Sequence, residues 1–135
     1  MKIKRPDRKK SGHIPPPTEP INYDQKPPIF SLEKLALGKY CLSGLDQEHK
    51  AKFADAVFRR KNLPWIDIKN ADKHALGTEK IARKSIKAPM PKFITEDVDH
   101  FIALRFHGMK PMVGYRTRDI FYVLWFDSDF TLYNH

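Results

Sequence analysis

Apolar and polar positions alternate with a period of two through the last third of the chain. Phe101 to Phe106, Met112 to Thr117, Ile120 to Phe126 and Phe130 to Tyr133 are runs rich in aromatic and β-branched residues. Turn formers separate them at Gly108 to Pro111, at Arg118-Asp119 and at Asp127 to Asp129. The pattern predicts four strands of an antiparallel meander. Ile120 to Phe126 is apolar at both parities, which predicts an interior strand. Upstream the period changes. Ala51, Phe53, Ala54, Val57 and Phe58 form a helical stripe, with Leu45 as a staple, Asp46 as N-cap and the basic run Arg59-Arg60-Lys61 at its end. Ser31 reads as the N-cap of a helix over Leu32 to Tyr40, weakened by Gly38, and Pro64 with Trp65, Ile66 and Ile68 as a short third helix. Lys80 to Ile86 fits either a strand or a turn of helix. Helices first and meander second predict an α+β fold, with N-terminal helices packed on a C-terminal antiparallel β-meander.

Seven of the eleven prolines fall within residues 1–28, among basic and polar residues. Such a stretch buries too little apolar surface to offset its ordering entropy. It predicts a disordered, Pro-rich basic arm over 1–28, followed by a single domain over 29–135.

With 135 residues, 41% of them hydrophobic, the chain is long enough for one modest core. A lone cysteine, Cys41, excludes an intrachain disulfide framework and a Cys-rich zinc site. No apolar run approaches a membrane span, and the first residues lack the apolar core of a signal peptide, so a soluble cytoplasmic protein is expected. The formal charge is +9, unevenly spread: residues 59–92 carry ten Lys/Arg against three Asp/Glu, whereas residues 93–135 carry four against six. A basic arm and a basic middle segment fit a polyanionic partner, RNA or another nucleic acid, bound with counterion release. A solvated surface that only keeps the protein soluble fits the same charges.

No Walker A, Rossmann fingerprint, HExxH, nucleophile elbow or EF-hand loop is present, and no cofactor is implied. None of the six histidines pairs with another at i, i+4, so a histidine metal site requires long-range assembly and is not expected. The segment from His74 to Lys80 combines an imidazole, a glycine, a carboxylate and an ammonium. It suits either a proton-transfer and phosphate-clamping loop or a helix-terminating loop with solvated charges. On the first strand of the meander, alternation places Arg105 and His107 on one face, with Arg116 or Tyr115 opposite if the next strand pairs as a hairpin. Arginine stabilises charge on a phosphorane and histidine moves protons near neutrality. Equally, the arginines pair with Glu96, Asp97, Asp99 or Asp127 and the histidines sit at an edge. Asp127 and Asp129 read as turn residues, and Tyr133 and His135 as a frayed end able to close a site.

The RFHG strand end, the MVGYRTRDIFYVLWFD stretch and the terminal LYNH resemble the closing sheet of RelE/ParE-like toxins of bacterial toxin–antitoxin systems. The resemblance implies a small basic cytoplasmic domain, a cognate antitoxin protein as partner and metal-free RNA cleavage by basic residues, histidine or tyrosine. The expected function is therefore a metal-independent endoribonuclease that leaves a 2′,3′-cyclic phosphate. Arg105, His107, Arg116, Tyr115 and His74 are its expected catalytic residues. Lys80, Arg83, Lys84, Arg59 and Arg60 are its expected phosphate contacts. The alternative is a non-catalytic nucleic-acid-binding protein of phage or mobile-element origin, and an adaptor presenting its Pro-rich arm to a partner's groove is a third reading.

Overall fold

The computed structural model describes residues 20–135. Five strands form one mixed sheet in the order β1-β5-β4-β3-β2. They are β1 (Ile29–Ser31), β2 (Thr78–Ala82), β3 (His100–His107), β4 (Lys110–Thr117) and β5 (Ile120–Phe126); the helices are α1 (Gln47–Arg59) and α2 (Trp65–Asn70). β2 to β5 pair antiparallel as neighbours, while β1 runs parallel to β5. The α+β class and the hairpins of the meander are as expected, and β5 is interior. The sheet is larger than the meander and is not purely antiparallel.

Two expectations fail, and one left open is resolved. Leu32 to Tyr40 is not a helix: past β1 its backbone keeps bonding to β5, with Ala36 N donating to Leu124 O and Phe126 N to Tyr40 O. Phe130 to Tyr133 is not a strand, because Phe130 takes a left-handed φ of 61° that breaks an extended run. Lys80 to Ile86 divides between the end of β2 and a 3₁₀ turn over Arg83–Ser85. As for the arm, residues 1–19 lie outside the described residues. Its later part is packed: Asp24 pairs with Arg116 at 2.7 Å and with Lys69 at 3.1 Å, and Lys26 O accepts from Trp65 N at 2.9 Å. Ordered contacts thus begin upstream of Ile29.

Each face of the sheet has its own core. α1 and α2 cover one face, burying Leu45, Ala56, Trp65 and Ile68 against Leu104, Phe106, Met112, Phe121, Val123 and Phe126. Asp46 caps α1 by accepting from His49 N at 2.9 Å, and Trp65 fixes α2 by donating from Nε1 to Asp119 O at 2.9 Å. Among the described residues, no α-helix covers the second core. Irregular chain from Ile86 to Val98, together with Leu132 and Tyr133, lies over Phe101, Ala103, Val113, Leu124 and Trp125. Gly114 permits β4 to approach β5, since a Cβ there would stand 1.8 Å from Tyr122 O.

Arg60, expected on the surface as a phosphate contact, is instead fully buried at the end of α1. Its guanidinium donates to Ala56 O (3.0 Å), Leu76 O (3.2 Å) and Arg105 O (3.3 Å), and burial, aided by Arg59, lowers its pKa to about 10. Arg60→Ala leaves buried carbonyls unsatisfied and removes packing. We expect a loss of about 3 kcal/mol in urea unfolding, and Arg60→Lys, which lacks the planar fork, recovers less than half of it. Unfolding midpoints like the wild type's for both variants would exclude Arg60 as a structural tie.

Candidate functional site

The sequence between α2 and β2 makes a tight loop. Asp72 holds it by accepting from His74 N at 2.8 Å through its side chain and from Gly77 N at 2.9 Å through its carbonyl. A Cβ at Gly77 would lie 2.2 Å from Ala71 O, so only glycine fits. This loop presents Lys73 and His74 and delivers Glu79 and Lys80 on β2. β3 brings Arg105 across from them, and the chain's last residues fold back over the same place. The result is a cleft of about 370 Å³, within the usual range of small-molecule sites. Lys73, His74, Glu79, Lys80, Arg105 and Tyr133 line it, with Met109 and Phe130 as apolar walls and His135 at its rim.

Arg105 is 6% exposed and donates from Nη2 to Glu79 Oε1 at 2.8 Å; Lys73 Nζ meets the other Glu79 oxygen at 2.9 Å. Burial works against the Glu79 charge, but Arg105 and then Lys73 outweigh it and hold the carboxyl below its ordinary value. Among the described residues, Arg105 Nε and Nη1 and the Tyr133 hydroxyl are buried without hydrogen-bond partners. Buried polar groups are nearly always satisfied, so these unpartnered donors, sealed from solvent beside the cleft, mark where a ligand or an ordered water would be bound. Burial pushes the Tyr133 phenol up to about 12; Arg105 opposes the shift, and Glu79 and Asp127 add to it.

His135 completes the group. Its Nε2 lies 2.8 Å from Oδ2 of the fully buried Asp127, whose Oδ1 accepts from Thr131 N at 2.9 Å. An ionised carboxylate only accepts, so Nε2 carries the proton and Nδ1 is left with its lone pair. The ring stacks on Tyr133 at 4.0 Å between centroids and meets the edge of Phe130 at 4.9 Å. An imidazole oriented by a buried carboxylate, a guanidinium with two unpartnered nitrogens and a neutral phenol therefore belong to residues that line one cleft. Lys73 and Arg105 both pair with Glu79, the lone acid among the described residues lining the cleft, and Lys80 lines it too, so cationic side chains outnumber acidic ones there and the cleft favours an anion.

Of the residues expected to be catalytic, Arg105 and His74 meet here and the other three do not. The β3–β4 register shifts between Arg105 and His107, and this bulge turns His107 towards α1, where its ring lies 4.7 Å from that of His49. Alternation had placed the two on one face. Arg116 is held by Asp24 and lies over the Trp65 ring at 4.5 Å; Tyr115 stacks on Tyr122 at 5.0 Å beside a separate groove. Among the expected phosphate contacts, Lys80 is in the cleft. Arg83 donates to Thr95 O and Val98 O, Lys84 is exposed beside it, Arg59 lies on a groove with His107, and Arg60 is buried. Glu79, Asp127, Tyr133 and His135 are not among the expected catalytic or phosphate-binding residues: Asp127 reads as a turn residue and Tyr133 and His135 as a frayed end able to close a site, although an Asp eight residues before a terminal His is visible in the sequence.

Compared with family models, with curated proteins and with solved structures, the chain shows no significant match. None of the described helices is long and apolar enough to cross a membrane.

The pair at the cleft has a pH signature. Glu79, depressed below 4.5, contributes stability that is present above that pH and is lost as pH falls through its folded value. Tyr133, raised from 10.0 to about 12, contributes stability that is present below pH 10 and is lost as pH rises towards 12. Glu79→Gln is expected to cost about 2 kcal/mol at neutral pH, less than a fully buried pair because Glu79 is partly exposed, and to flatten the acid limb of Tm against pH. Tyr133→Phe is expected to flatten the alkaline limb alone. Parallel profiles for wild type and variants would refute both assignments.

Proposed function

We propose that the cleft is the active site of a metal-independent endoribonuclease of the toxin type. The observation that carries this reading is the meeting of unpartnered Arg105 and Tyr133 donors with the Asp127-backed His135 imidazole. His135 Nδ1 takes the proton from a ribose 2′-hydroxyl, and the oxygen attacks the adjacent phosphorus in line. Arg105 Nε and Nη1 bind the non-bridging oxygens as charge develops on the phosphorane, assisted by the Tyr133 hydroxyl, which stays protonated at neutral pH. The 5′-oxygen leaves with a proton from a second lining residue, His74 or Lys80. Products are a 2′,3′-cyclic phosphate and a 5′-hydroxyl. Asp127 is a positioning residue, because it reaches the substrate only through His135. Within the cleft these side chains supply proton transfer and charge stabilisation directly, which suits catalysis without a resident metal.

Incubating the full chain with single-stranded RNA in EDTA is expected to give cyclic-phosphate ends. Arg105→Ala is expected to slow cleavage by about a hundredfold or more and Arg105→Lys to restore part of it. His135→Ala removes one limb of the pH–rate profile, and Asp127→Asn lowers the rate without changing RNA affinity. Arg116→Ala cleaves like the wild type if the protein stays folded, since its guanidinium is spent on Asp24. Intact RNA with the wild type, with and without ribosomes, would discard the enzyme reading. Salt-dependent RNA binding that weakens in Arg105→Ala and Lys80→Ala would then leave the non-catalytic binding protein.

A further inference from the structure

A second cluster of titratable side chains lies where α1 meets the far end of β3. Glu48 and His49 are in the first turn of α1 and His107 follows the β3 bulge; one ligand-capable atom from each lies within 4.8 Å of the others. The imidazoles are shielded, with side chains 13% and 22% exposed, and His107 Nε2 is 3.5 Å from Glu48 Oε1. Asp46 holds His49 Nδ1 at 2.7 Å. Since the carboxylate can only accept, Nδ1 carries the proton and Nε2 presents its lone pair, the carboxylate–histidine arrangement that supports metal ligands. A cation already sits on that lone pair: Lys110 Nζ lies 2.7 Å from His49 Nε2.

We propose that Glu48, His49 and His107 form a binding site for a divalent transition metal of the zinc class, in which the ion replaces the Lys110 ammonium on His49 Nε2. Two imidazoles and one carboxylate are a borderline donor set suited to zinc, with a fourth position open to water. Donors on one tetrahedral zinc stand about 3.3 Å apart, so binding draws the three groups inward. The groups that must move are the mobile ones, the 67% exposed Glu48 side chain and the long lysine stem. The ion clamps the start of α1 to the β3–β4 turn. No i, i+4 histidine pair announces the site, because these ligands come from two elements brought together only by folding. This site is separate from the cleft, and it stands or falls independently of RNA cleavage.

The test uses the full chain, stripped with chelator and titrated with Zn²⁺ by calorimetry and with Co²⁺ by visible absorption. One equivalent of saturable binding, a low-coordinate Co²⁺ spectrum and a Zn²⁺-dependent rise in Tm are expected. His49→Ala and His107→Gln should each weaken binding at least about tenfold and remove the Tm rise, whereas Lys110→Met, which deletes the competing cation, should tighten it severalfold. Far-UV circular dichroism checks folding of each variant, and His107→Gln, at a partly exposed position, serves if His49→Ala does not fold. No saturable binding in either the wild type or Lys110→Met overturns the proposal. So does binding that survives in His107→Gln, which would place the ion on other histidines.

Discussion

A buried guanidinium holds the molecule together at the place where function is assembled. Arg60 ends α1, yet its side chain turns inward to the carbonyls of Ala56, Leu76 and Arg105. Removing a charge from water costs several kcal/mol unless polar groups replace the lost hydration. Three carbonyl dipoles do so here, and each belongs to a different part of the fold: the helix itself, the loop before β2, and β3. The same contact therefore sets where that loop leaves the helical layer and where Arg105 sits on its strand. Glu79 follows from the first and the Arg105 guanidinium from the second, so their pairing is a consequence of Arg60 as much as of their own attraction.

The contrast between the two sheet faces explains why the cleft lies where it does. On the helical face, side chains of α1 and α2 fill the space with apolar groups and leave little room for charge. The opposite face is closed by irregular chain, which brings backbone polar groups and turn residues rather than a continuous apolar layer. Arg105, partly satisfied, and Tyr133, its hydroxyl unpartnered, are tolerated there at the margin of that core. The bulge in β3 divides the chemistry between the faces. It sends Arg105 to the cleft and His107 to α1 within three residues of chain, which a regular strand cannot do.

What was legible in the sequence was regular. β3, β4 and β5 announce themselves by alternation, α1 by its stripe and its Asp46 cap, and α2 by Pro64 and Trp65. Leu32 to Tyr40 misled because Ser31 does cap a turn, its Oγ accepting from Glu33 N at 3.2 Å, but beyond the single bond from Leu35 N to Leu32 O the backbone bonds to β5 instead of continuing a helix. β1 is three residues long, too short for periodicity to register, and its parallel partner is some ninety residues away. Arg60 was unreadable for a different reason. In a run of three cations, nothing local says which one turns inward. The bulge is likewise silent, since one extra residue leaves the composition unchanged and reverses the facing of everything beyond it.

The chain's end was the least legible part and holds the base of the proposed site. Strand pairing does not order it; polar contacts to one buried carboxylate do. Asp127 receives Thr131 N and His135, its own N–H donates to Pro111 O at 2.9 Å, and Lys87 N donates to Leu132 O at 2.8 Å. Between these anchors the left-handed Phe130 reverses the backbone, so that Tyr133 enters the second core and His135 stacks on it. An aspartate after an apolar strand usually marks a turn, which is what Asp127 is; the same turn geometry buries its carboxylate and aims it at the last residue. A turn-forming aspartate and a histidine-orienting aspartate need the same residue type at the same place, so local sequence alone does not separate the two roles. Only the burial that the sheet imposes on Asp127 does.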